Sequence, residues 1–228
     1  MQRPAFLQPF LKLAAINILS NLLVPIAGLL DIAFLGHLAE IRHLAGVALA
    51  TVLFNYLYWT FGFLRMSTTG MTAQAMGRDD ESEILLIGLR HGILALLLGV
   101  GILILQVPLR HLGFAILSAP PEVEAAGQAF YKAMIWGAPA TLLNFVILGW
   151  LLGRSQGRDV LILTAINSIA TVVLDYWLIV RSGWASTGAG LSTAMGQYLT
   201  LAGGLLLLSR TVEFAQIRGQ VSRLWDRS

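Results

Sequence analysis

The chain has 228 residues, of which 57% are apolar and only 12% charged, with a mean hydropathy of +0.75. That is more apolar surface than a soluble domain of this size can hide, so lipid is the expected solvent. The net charge of +3 comes from residues at helix ends and in the tail rather than from a basic patch with interleaved aromatics, which argues against nucleic acid as a partner, and the absence of Cys excludes disulfides and thiolate metal sites.

A membrane helix needs about 20 mostly apolar residues. Runs of that kind fall at Leu11 to Leu35, Leu44 to Leu64, Ile84 to Val107, Ala125 to Leu152, Val160 to Val180 and Thr187 to Leu208, here called spans one to six. The expected fold class is therefore an all-α membrane bundle of about six transmembrane helices over residues 1–210. The loops are expected at His37 to His43, Gly77 to Glu83, Pro108 to Val123, Arg154 to Asp159 and Arg181 to Ser186. Residues 211–228 form a charged tail in which Ile217, Val221, Leu224 and Trp225 keep helical spacing, which predicts an interfacial amphipathic helix or a linker towards a second lobe. The apolar stretch after Arg3 and Lys12 runs on to Leu35 without a small-residue cleavage site, which favours a span over a cleaved leader.

Lys and Arg set the orientation. With the N-terminus inside, that side holds eleven of them (Arg3, Lys12, Arg65, Arg78, Arg90, Arg154, Arg158, Arg210, Arg218, Arg223, Arg227) against Arg42, Arg110, Lys132 and Arg181 outside. A multi-pass protein of the cell (inner) membrane with both termini cytoplasmic is the expectation. Trp59, Trp136, Trp177 and Trp184 fall near predicted helix ends and suit headgroup anchoring. The histidines His37, His43, His91 and His111 lie in or beside loops, without metal-pair spacing, and are expected as solvated groups.

Two carboxylates fall inside spans, Asp31 and Asp175, each about five residues from the outer end of a span that runs outward. Each costs about 2.5 to 3.5 kcal/mol at a helix centre, and no Lys or Arg is expected at that depth to offset it. Span six runs inward, so Ala189 and Thr193 reach the same layer. In span five, Thr164, Asn167, Ser168, Thr171 and Asp175 form a polar stripe at offsets of three and four; Thr193, Gln197 and Thr200 repeat it in span six. The hydroxyls read equally well as interhelical glue or as a site; the acids read as functional, because a carboxyl that alternates between protonated and ion-bound states is what coupling requires. Pro25 in mid-span one, with Gly28 close by, predicts a bend beside Asp31. Pro139, Thr141 and Asn144 make a less specific group in span four.

Four stretches carry a resemblance: Leu23 to Leu38 (LVPIAGLLDIAFLGHL), Leu64 to Gly77 (LRMSTTGMTAQAMG), Leu148 to Gly153 (LGWLLG) and Leu174 to Leu178 (LDYWL). With them the chain resembles the multidrug and toxic compound extrusion (MATE) transporters, in their DinF-like branch, over the N-terminal six-helix lobe only. The resemblance implies a two-lobe antiporter that exports small organic compounds in exchange for H⁺ or Na⁺, with no other cofactor. It assigns proton or cation coupling to Asp31, Asp175, Ala189 and Thr193, a hinge to Pro25 and cavity lining to Asn144; the reading of the residues adds Thr171 to the coupling group, Gly28 to the hinge, and Asn167 and Gln197 to the lining. A Na⁺ ion would sit at Asp31, Asp175 and Thr193. Thr171 stands where the family pattern has Asn, which favours H⁺. The missing second lobe has to come from a separate chain or a second copy, and the chain is expected to be truncated, split or dimerising. The rival expectation is a non-transporting membrane protein that binds or regulates a partner lobe. An enzyme is not expected, since an HExxH motif is absent and no nucleophile has a plausibly adjacent base.

Overall fold

The computed structural model describes residues 40–211, together with residues 18, 22, 28–30 and 32–36 of the preceding segment. Eight α-helices follow one another in the continuous part: α1 (Ile41–Thr60), α2 (Phe63–Gly77), α3 (Glu81–Ile104), α4 (Gln106–Leu117), α5 (Pro121–Met134), α6 (Ala138–Gly153), α7 (Gly157–Asp175) and α8 (Ala185–Thr211). Among the described residues, five helical segments are long and apolar enough to cross a membrane. Of span one only residues 18, 22, 28–30 and 32–35 are described, and the tail beyond Thr211 lies outside the described residues.

Local chemistry explains where these helices start and stop. Asp80 caps α3 by accepting from the Glu83 amide at 3.0 Å, with Glu81 and Glu83 in the first turn facing the positive end of the helix dipole. Pro121 opens α5 at a position where its missing N–H costs nothing. Pro139 sits in the first turn of α6, and the chain before it tightens into a 3₁₀ turn at Ile135–Gly137. Beyond Asp175 the helix widens into a π-helical turn, Tyr176–Arg181. Helices α2 and α6 end alike. Asp79 and Ser155 take left-handed backbone (φ 55° and 58°), and the next amide in each case, Asp80 or Gln156, reaches back to the carbonyl of Ala75 or Leu151.

The segment Pro121–Gly153 is the core. Its most apolar window is 67% buried, against 17% to 28% for the other four segments, so it is screened by neighbours that are themselves less covered among the described residues. Helix α6 packs on α2, α3 and α8, while α5 packs on α1 and α8. Glycines allow the closest approaches: a Cβ at Gly99 would stand 2.5 Å from Pro139, and one at Gly190 2.5 Å from the Phe130 carbonyl.

Several expectations are corrected. Span two does not end at Leu64: after a break at Phe61–Gly62 the helix continues to Gly77, so Arg65 lies inside a helical segment and Trp59 in the middle of one. Ser67, Thr68, Thr69 and Gly70 lower the hydropathy there without ending the helix, because α2 packs on α6. The loop expected from Pro108 to Val123 holds α4. His43 is not simply solvated, since its Nδ1 lies 2.9 Å from Ser186 Oγ at the start of α8 and its Nε2 3.2 Å from Glu40.

Candidate functional site

The polar stripe of span five faces α8, not lipid. Ser168, Thr171 and Asp175 are buried and α7 packs along α8 through this face. Asp175 is 1% exposed, and one of its oxygens accepts a hydrogen bond from the hydroxyl of Ser192, itself fully buried. Ser192 Oγ also lies 2.8 Å from the Ala189 carbonyl, and Thr193 donates to the same carbonyl at 2.9 Å. Thus one carbonyl oxygen of α8 serves two hydroxyls beside a buried carboxyl.

One turn inward, Gly196 lets α7 and α8 close up: a Cβ there would stand 2.5 Å from Thr171 Oγ1 and 3.2 Å from Asn167 Oδ1. A further turn along, Thr200 Oγ1 lies 3.3 Å from Asn167 Oδ1 and 2.8 Å from the Gly196 carbonyl. From α6, Asn144 donates its amide to both the backbone and the side-chain oxygen of Gln197, each at 2.9 Å. The seam therefore carries a polar contact at each end, Asp175 with Ser192 and Asn167 with Thr200, and closes sterically at Gly196 between them. Thr164, the inward end of the predicted stripe, is spent on its own helix through the Val160 carbonyl at 2.9 Å.

The structure thus brings together Asp175, Thr171, Asn167, Ala189 and Thr193, with Asn144 and Gln197 one contact further in. Pro25 and Asp31 lie outside the described residues. Gly28 is helical, with no atom of the described residues within 4 Å of where a Cβ would stand. Sequence reasoning missed Ser192 and Gly196. The signal was available in the small residues Ala189, Ser192, Gly196, Thr200 and Gly203, which recur at offsets of three and four along α8 as close-packing membrane faces do.

The comparisons with known proteins agree with this architecture. The MatE family model matches residues 17–177. The chain belongs to the MATE family. It is 36% identical over 209 residues to the DNA damage-inducible protein F of Escherichia coli (strain K12), an alignment covering 92% of this chain and 46% of the relative. To the Probable multidrug resistance protein NorM of Thermotoga maritima it is 24% identical over 228 residues, 98% of this chain and 49% of the relative. The chain spans about half the length of the curated relatives it matches. Among solved structures, an outward-facing multidrug resistance MATE family transporter superimposes with a TM-score of 0.80 at 23% identity, over 87% of this chain and 44% of that one. A MOP superfamily transporter from Pyrococcus furiosus gives 0.79 at 22% identity, over 90% and 44%. In fold, this MATE chain is an all-helical membrane bundle matching one lobe of such transporters.

Proposed function

We propose that the chain is one lobe of a cation-coupled antiporter that exports small organic compounds across the inner membrane, with both termini cytoplasmic and a second six-helix lobe completing the pathway. That lobe belongs to a continuation of the chain, to a separate chain or to a second copy. Alternating access needs two bundles that rock around a shared site, and the matched relatives are about twice as long. Two of those relatives carry the name Probable multidrug resistance protein, which supports organic compounds as cargo.

The observation that carries the reading is the buried pair of Asp175 and Ser192 with the Ala189 carbonyl beside it. An ionised Asp175 accepts the Ser192 proton. A protonated Asp175 donates to Ser192 Oγ, which then turns its own proton to the Ala189 carbonyl. The hydrogen bond between Asp175 and Ser192 is kept in both protonation states, so a proton loads and leaves without breaking that contact. Na⁺ is served less well. The Ala189 oxygen already accepts the Thr193 hydroxyl, and Thr171 offers one short oxygen where a hard cation wants several. The coupling ion in this reading is H⁺.

Asp31 carries the partner carboxyl and Pro25 the bend that responds to it, assignments that rest on the resemblance. The test is proton-driven efflux from vesicles containing this chain with a second lobe. Asp31→Asn and Asp175→Asn are each expected to abolish pH-gradient-driven export while the assembly stays intact. Unchanged export by both variants would refute the reading.

A further inference from the structure

At the break between α1 and α2 the amides of Phe61 and Gly62 bond back three residues, to the Tyr58 and Trp59 carbonyls, both at 3.1 Å. This tight turn interrupts the regular ladder in the middle of a 37-residue helical segment. A cleft of about 630 Å³ opens beside it, with Asn55, Tyr56, Tyr58, Trp59 and Arg65 along the α1–α2 wall and Phe145 contributed by α6. Trp59 is 86% exposed and Tyr56 70%, so both rings present free surface among the described residues.

Arg65 is the only formally charged residue in the lining. Two arginines of the lobe have carboxylate partners: Arg42 pairs with Glu40 at 2.5 Å, and Arg154 reaches Glu81 at 3.9 Å and stands 4.4 Å over the Trp150 ring. Arg65 has no carboxylate within ion-pair distance among the described residues. Its backbone is pinned against α6, where its carbonyl lies 2.7 Å from where a Cβ of Gly149 would stand, so the side chain projects from a fixed point. A guanidinium is always charged, weakly hydrated, and matches a carboxylate or sulfonate with two parallel N–H bonds. In a low-dielectric wall without an acid it attracts anions and repels cations. The aromatic rings supply flat apolar contact for the body of such a ligand.

We infer that this cleft binds an amphipathic organic anion, with Arg65 as the charge partner of its acid group and Tyr56 and Trp59 against its apolar body. The inference rests on the proposed export function only in calling that anion a substrate; binding itself needs no transport. An anionic solute and the headgroup of an anionic lipid share this chemistry.

The test uses the full chain in phosphatidylcholine nanodiscs and two probes of equal size and opposite charge, 1-pyrenesulfonate and 1-pyrenemethylammonium, with empty discs subtracted. Saturable binding of the sulfonate, weakened about tenfold or more by Arg65→Gln and retained in part by Arg65→Lys, is the expected result. In discs containing phosphatidylglycerol, displacement of the sulfonate identifies the lipid headgroup as the occupant, while undiminished sulfonate binding identifies a solute. Equal binding of the ammonium probe, or an affinity unchanged by Arg65→Gln, overturns the inference. If Arg65→Gln does not fold, the wild-type preference between the two probes decides it alone. Sulfonate binding together with absent proton-driven export from vesicles that also contain a second lobe would refute the antiporter reading and leave this one standing.

Discussion

Along the seam between α2 and α6, Gly149 and Gly153 bring backbone against Thr68 and Thr72; along the seam between α7 and α8, Gly196 does the same for Thr171. Both seams are built from glycine and hydroxyl residues, and composition alone would give them the same role. The hydroxyls separate them. Thr68 turns back to the Leu64 carbonyl of its own helix at 2.6 Å, whereas Ser192 reaches across to Asp175. The first seam holds two helices together. The second does so around a carboxyl that can change its charge, and only there does a hydroxyl have something to respond to.

The largest effect that would sharpen this contrast is functional. Asp175→Asn should keep the Ser192 contact and the melting temperature but reduce proton-driven export at least about tenfold, since the amide cannot carry the proton. Thr68→Val in the other seam should leave export unchanged; a comparable loss there would erase the distinction.

Steric substitutions come next. Gly196→Ala and Gly153→Ala should each lower stability by about 1–3 kcal/mol, measured by unfolding in detergent, because each new methyl has no room. At Gly196 the obstacle is the tip of Thr171, so adding Thr171→Ala should recover most of the loss. Gly153 faces the Thr69 backbone carbonyl at 2.8 Å as well as the Thr72 side chain, so adding Thr72→Ala should recover little. Equal recovery in the two seams would mean that both are closed by movable side chains.

A smaller effect is expected for Ser192→Ala, about 1 kcal/mol of stability for one hydrogen bond, with export impaired more than the melting temperature suggests. Smallest of all is the Glu40 end of α1. The Arg42 guanidinium, whose Nε donates to Glu40 at 2.6 Å, holds that carboxyl below the usual carboxylate range. Its contribution is present at neutral pH and disappears as the pH falls through the lowered value, so acid unfolding of Glu40→Gln should differ only slightly from that of the parent.

What the sequence made legible was governed by hydropathy and by period. Spans three to six were visible as apolar runs, and the depth of Asp175 followed from counting residues along its span. The continuation of span two was not, because the helix through Ser67 to Gly70 is held by the packing of α2 on α6, a contact no local window contains. Helix α4 was hidden by Pro108, Arg110 and His111, which resemble a loop in composition yet fit a short helix. In the site, period placed Asp175, Thr171 and Asn167 on one face, while the choice of Ser192 over its neighbour Thr193 depended on how α8 is turned about its own axis. The π-helical turn after Asp175 has no residue signature of its own.

The matched turns that close α2 and α6 make this lobe modular in an engineering sense. Gly77–Asp80 and Gly153–Gln156 present the same order, Gly-Arg followed by a left-handed non-glycine residue, and share two backbone hydrogen bonds, from Asp79 and Ser155 to Met76 and Leu152 and from Asp80 and Gln156 to Ala75 and Leu151, while Asp80 alone adds a side-chain cap. The two connectors are therefore alike in backbone form. Grafting either tetrapeptide onto the other junction should preserve the exit direction of the following helix, and glycine at Asp79 or Ser155 should relax the turn without redirecting it.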